Sequence, residues 1–213
     1  MRLVALALAG IVLAPSLADA QPWRRHRDAP RTTGFTLGAG GHAVGLATES
    51  GGVETEAVGG GIGLRVGYGF SPSFALLLDL QGSVVDPEAR NADEYGFGSA
   101  ELAARFALRP SAGVNPYLQV GVGGAQQAFD VPDTNEELVV RGGAASGTLG
   151  VELGVSRTVA VDVAVSAVGA RLTERAFDGE VTDDFEEIDL GAVRLGAGLV
   201  WRPNAPSRRR GRR

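Results

Sequence analysis

The sequence predicts an all-β chain folded as a closed eight-stranded up-and-down antiparallel transmembrane β-barrel. Three observations carry that prediction. The dominant hydrophobic period is two rather than 3.6, and the connections alternate between short turns and longer acidic links. The polar face of the strands is also rich in glycine. A solvated exterior gains nothing from so many strand glycines, whereas a narrow lumen has no room for larger side chains.

The ends of the chain give its organisation. Residues 1–20 read as a secretory signal. Arg2 begins it, the apolar run Leu3 to Leu13 is too short to span a bilayer, and Ala18-Asp19-Ala20 is a cleavage box. Residues 21–33 form a basic segment expected in the periplasm, 34–201 the barrel, and 202–213 a basic tail. The absence of cysteine excludes disulfides and thiolate metal sites. There is no lysine, and ten of the 20 arginines lie in the two tails. An acidic domain is thus flanked by basic ends that suit anionic lipid or another polyanion. No fold or aromatic interleaving supports nucleic-acid binding.

Eight strands are expected at about 34–43, 57–70, 74–85, 95–108, 116–128, 140–155, 159–171 and 187–201. Short turn-forming links fall at 71–73, 109–115 and 156–158. Longer links at 44–56, 86–94, 129–139 and 172–186 hold most of the acidic residues. Each strand divides by face. In the second, Val58, Ile62, Leu64, Val66, Tyr68 and Phe70 oppose Gly59, Gly61, Gly63, Arg65 and Gly67. In the third, Phe74, Leu76, Leu78, Leu80 and Val84 oppose Asp79, Gln81 and Ser83. The fourth sets Leu102 and Phe106 against Glu101 and Arg105, and the fifth sets Leu118, Val120 and Val122 against Gln119 and Gly121. The sixth sets Leu149, Val151 and Leu153 against Thr148 and Glu152, and the seventh sets Val161, Val163 and Val165 against Asp162 and Ser166.

A soluble exported ligand-binding barrel would bury these apolar rows; a membrane barrel would turn them outward. The rows cover roughly 9–13 residues of strand, enough to cross a bilayer when tilted. Tyr68, Phe70, Phe74, Phe106, Tyr117 and Trp201 gather near the short-turn end, where an aromatic girdle belongs.

The last strand, Arg194-Leu195-Gly196-Ala197-Gly198-Leu199-Val200-Trp201, puts Leu195, Ala197, Leu199 and Trp201 on one face. It resembles the terminal-strand signal of bacterial outer-membrane proteins, carried here by Arg194, Gly196, Leu199 and Trp201. The span 34–201 resembles the small eight-stranded outer-membrane barrel family that includes the OmpA membrane domain, OmpX and the opacity-type proteins. The resemblance implies residence in the bacterial outer membrane, surrounding lipid, a monomer, and the barrel-assembly machinery as partner. Family members commonly end on the aromatic, whereas here Arg202 to Arg213 follow it.

The lumen-facing charges are Arg65, Asp79, Glu101, Arg105, Glu152, Asp162 and Arg194. Counting outward from turn 71–73 sets Arg65 opposite Asp79. The same count from 156–158 sets Glu152 opposite Asp162, a repulsive pair for which Arg194 is the expected screening cation. A plug of salt bridges accounts for this set better than an ion path, because eight strands leave little open lumen.

No catalytic, cofactor or metal residue is assigned. A lipid-modifying barrel enzyme would use a Ser nucleophile with a His base. The histidines are His26, in the basic segment, and His42, on the polar face of the first strand without a nearby H-x-S arrangement. Asp178, Glu180, Asp183, Asp184, Glu186 and Glu187 read as a solvated acidic loop rather than a calcium site. The expected role is structural or surface-interacting, adhesion-like, rather than enzymatic or ion-conducting.

Overall fold

The computed structural model describes residues 32–87, 94–110, 113–130, 137–177, 180–182 and 187–203. The expected signal, most of the two basic ends, and most of the acidic loop before the last strand lie outside these residues. The described elements are β1 (Gly34–Ser50), β2 (Val53–Ser71), β3 (Phe74–Pro87), β4 (Tyr95–Ala107), β5 (Val114–Asp130), β6 (Glu137–Gly154), β7 (Val159–Phe177), β8 (Glu180–Thr182) and β9 (Ile188–Trp201). No helix occurs among the described residues.

Each long strand pairs antiparallel with its chain neighbour, and β9 pairs with both β7 and β1 to close the sheet. The result is a closed eight-stranded up-and-down barrel; β8 is a three-residue ribbon on Arg175–Phe177 of β7. Closure leaves no strand edge, so every long strand has a hydrogen-bonding partner on both sides.

The expected long link at 44–56 is not a loop. β1 and β2 pair continuously from Gly34↔Gly69 to Ser50↔Val53. Gly51 and Gly52 make the whole connection, with φ of 57° and 80°. Two left-handed residues in succession match the twist of a two-residue hairpin, and glycine adopts them without steric cost. β3, β5 and β7 likewise run on to Pro87, Asp130 and Phe177.

Below these extensions, the apolar rows face outward. Ile62 is 71 % exposed, and Leu64, Leu78, Leu102, Val122, Leu195 and Leu199 are exposed with it. Along β3 the row from Phe74 to Val84 rises about 25 Å, at about 3.3 Å per residue and a tilt of about 40°. That height matches the apolar band of a bilayer-spanning barrel.

Towards the long-link end, the two faces exchange polarity. The interior there is an apolar core that includes Val44, Leu46, Val85, Tyr95, Phe97, Val140, Val168, Leu172 and Leu190. The outer face carries Glu49, Glu54, Glu56, Asp86, Arg141, Arg171 and Asp189. The lower half of the wall is thus built for an apolar exterior and polar lumen, and the upper half for the reverse.

Outward-facing glycines cluster near this transition, at least one per long strand. They include Gly45, Gly60, Gly82, Gly98, Gly124, Gly143, Gly169 and Gly191, with Gly82↔Gly98, Gly124↔Gly143 and Gly169↔Gly191 in register. A Cβ at Gly45, Gly82, Gly143, Gly169 or Gly191 would meet nothing within 4 Å. The inward-facing seam glycines differ. A Cβ on Gly40 would approach the Cα of Gly198 to 2.8 Å, so β1 and β9 close against each other there only without side chains.

Candidate functional site

Alternation points one side chain in two into the lumen, and the strand tilt decides which of them meet. Arg65 on β2 donates from Nε to Asp79 on β3 at 3.0 Å, and from Nη1 to Asp162 on β7 at 2.7 Å. Arg105 on β4 reaches Glu152 on β6 at 2.6 Å and Asp162 at 3.5 Å. Gln81 and Gln119 each donate to Asp79 at 2.9 Å, and Arg105 donates to Gln119 at 3.0 Å. These contacts join six strands, β2 to β7, into one network near the short-turn end.

Two placements differ from expectation. Tyr117 is no girdle aromatic: it is 2 % exposed, faces the lumen, and donates its hydroxyl to Asp162 at 2.7 Å. The Arg105 guanidinium lies over its ring at 3.7 Å. The reason is parity, since Tyr117 shares the face of Gln119 and not that of Leu118. Arg194 does not screen Glu152 and Asp162. It extends across the lumen from β9 to donate to Ser99 Oγ on β4 at 3.1 Å, with its guanidinium 5.1 Å from the Phe97 ring. Glu152 and Asp162 do face each other in register, and Arg65, Arg105 and Arg202 hold them.

Arg202 is the residue that sequence reasoning missed. Assigned to the basic tail, it is 4 % exposed and folds into the barrel base. Its backbone N–H donates to Thr158 at 2.8 Å, and Nη2 lies 2.8 and 2.9 Å from the two oxygens of Glu152. It continues the inward parity of Val200, a signal available in the sequence. Its charge matters: Arg65, Arg105, Arg194 and Arg202 now balance Asp79, Glu101, Glu152 and Asp162.

The girdle residues are otherwise outward. Tyr68, Phe70, Phe74 and Phe106 form a ladder with ring centroids 5.2, 6.1 and 5.4 Å apart. Trp201 and Phe35, the latter unassigned from sequence, are exposed at the same end. In the terminal strand, Leu199 and Trp201 face out, while Arg194 and Gly196 face the lumen.

Between the ionic network and the apolar core lies a chamber of about 100 Å³. Its lining includes His42, Gln81, Glu101, Ser146, Ser166 and Arg194. Ser146 donates to Glu101. His42 Nε2 lies 2.8 Å from Ser83 Oγ, a Ser–His contact that linear spacing had not suggested. Ser83 is buried on the lumen face, and no further group orients the His42 ring among the described residues. No group of acidic or histidine side chains suited to a metal occurs among the described residues.

No protein-family model and no curated protein matches the chain. Among solved structures, it is similar to Neisserial surface protein A, with 15 % identity and a TM-score of 0.60 over 80 % of this chain and 97 % of that one. It is also similar to outer membrane protein OprG from Pseudomonas aeruginosa, with 14 % identity and a TM-score of 0.55 over 82 % of this chain and 99 % of the other. The architecture is therefore that of a small eight-stranded barrel, closed and antiparallel throughout, of the kind found among bacterial outer-membrane proteins.

Proposed function

We propose that this chain is an integral protein of the bacterial outer membrane with a structural or surface-interaction role, and that its lumen does not conduct. The observation that carries this reading is the exchange of polarity along the wall. The lower half offers lipid an apolar belt about as tall as the hydrocarbon layer. The upper half has a dry interior and a charged exterior, so it stands in water as a rigid projecting cup. The Neisserial neighbour is named as a surface protein, in keeping with a barrel that presents its rim. Lipid surrounds the belt, the assembly machinery inserts it, and the basic ends meet anionic lipid or another polyanion in the periplasm. The protein acts as a monomer, and its role is not enzymatic.

Two barriers in series close the lumen. The ionic network blocks the short-turn end, and the apolar core at Phe97, Leu46 and Leu172 excludes water from the other. Membrane fractionation followed by single-channel recording in planar bilayers tests both halves of the reading. Recovery in the outer-membrane fraction with no steady conductance is expected. Recovery in the soluble periplasm would overturn the location, and stable ohmic openings would overturn the closed lumen.

The Ser83–His42 contact favours a second reading, a hydrolase with Ser83 as nucleophile and His42 as base. Against it, Ser83 is buried on the lumen face, away from lipid. A fluorophosphonate probe that labels the folded protein at Ser83 would establish the hydrolase; absence of labelling is expected.

A further inference from the structure

The lumenal charges divide into two sets. Arg65, Arg105 and Arg202 each lie within 3.0 Å of a carboxylate, and Asp79, Glu152 and Asp162 are the acids they share. That set is neutral and every member is ion-paired, although Arg202 Nε is buried without a partner of its own. Arg194 and Glu101 are left over: neither forms an ion pair among the described residues. Arg194 is 5 % exposed and has one hydrogen bond, to Ser99. Its Nε is buried without any partner. Glu101, equally buried, accepts from Ser146. Both line the chamber, with Arg194 in its ceiling beneath Phe97.

The chamber wall is also kept clear where packing does not demand it. A Cβ on Gly38 would come no nearer than 3.4 Å to any neighbour, an ordinary van der Waals contact. Glycine at Gly40 and Gly198 is imposed by the strand seam; at Gly38 it preserves volume.

We propose that this chamber is a binding site for a small dipolar guest of zero net charge, its acceptor end on Arg194 and its donor end on Glu101. Neutrality is required because the eight lumenal charges already cancel, and an added ion would be buried without a counter-charge. A buried guanidinium and a separated carboxylate each need hydrogen bonds, and a guest between them supplies both. Two sources share this chemistry: a chain of bound water, each molecule needing about 10–15 Å³ of such space, or one compact zwitterion of amino-acid size. Enclosure during folding needs no route through the closed ends.

The test folds the full chain from urea into detergent micelles with isotope-labelled glycine, formate or methylammonium at equal concentration, then removes free probe. Retention of one glycine per barrel identifies the zwitterion. Without retained glycine, long-lived water cross-peaks to the Gly196 and Gly198 amide protons identify the water chain. Glu101→Gln should weaken the observed guest about tenfold, the scale of one charged hydrogen bond. Gly38→Ala should reduce it while leaving the fold intact, and so serves if the charge variant fails to fold. Preferential retention of formate or methylammonium would overturn the proposal. So would a chamber showing neither glycine nor water, or a guest signal unchanged in both variants.

Discussion

Arg202 and Arg105 hold the same carboxylate, that of Glu152, from two sides, at 2.8 and 2.6 Å. One comes from beyond the last strand and the other from β4, so the lumen is completed by a residue outside the barrel's own strands. Arg202→Ala should therefore destabilise by about 3–5 kcal/mol, the scale for stranding one member of a buried ionic cluster. Adding Glu152→Gln should recover part of that loss. Urea unfolding from liposomes measures both; a neutral Arg202→Ala would show that the tail residue contributes nothing to the plug.

A second expectation concerns Arg65 and Asp79. Arg65→Ala and Asp79→Ala should each be costly, with a coupling energy above about 1 kcal/mol in the four-cornered cycle. Exchanging the two residues should rescue little, because an aspartate at position 65 removes the cation that now lies 2.7 Å from Asp162 and puts a like charge on that side of it. Full rescue by the exchange would mean that the cross-lumen contact is unimportant.

Leu78→Arg or Val163→Arg should cost about 2–4 kcal/mol if the bilayer midplane passes near them. Gly169→Arg, on the same outer face as Val163 but above the belt, should cost less than about 1 kcal/mol. Equal penalties at Val163 and Gly169 would place the upper wall in lipid too.

The outward glycines offer a gain rather than a loss. Gly82→Val and Gly169→Val add a β-branched side chain where an added Cβ meets nothing within 4 Å. Each should stabilise by about 0.5–1 kcal/mol through lower unfolded-state entropy and better strand propensity. Loss of stability on thermal or urea unfolding would show that the surrounding lipid or solvent demands bare backbone there.

Orientation has its own readout. An epitope inserted between Gly51 and Gly52 should be reachable on intact cells, whereas one in 71–73 should be hidden. The reverse labelling would invert the topology.

Much of this was legible because alternation is a local property. The sidedness of Ile62, Leu78 or Leu199 follows from counting by two, as does the register that sets Arg65 against Asp79. Tyr117 and Arg202 were legible by the same count, being in phase with Gln119 and Val200, but were assigned by neighbourhood instead. The Gly51-Gly52 pair is a hairpin signal hidden inside an acid-rich stretch, because charges outside a barrel look like a loop when the wall is assumed to end at the membrane. Arg194 is a different case. Its reach to Ser99 crosses the lumen, and such contacts depend on tilt and stagger, which no count along a single hairpin supplies.

The exchange of polarity along the wall also acts as a vernier on strand alignment. Plain alternation forbids a slip by one residue, which would turn every side chain to the wrong face, but a slip by two restores the pattern. Here it does not. In the native register Arg194 sits beside Val44 and Ser166, and Ala192 beside Leu46 and Val168. Moving β9 by two residues toward the rim would carry the Arg194 guanidinium between Leu46 and Val168, inside the dry core, and bring Gly196 to the level it vacated. The closing strand therefore has one height at which its charges and its apolar residues both find their layers.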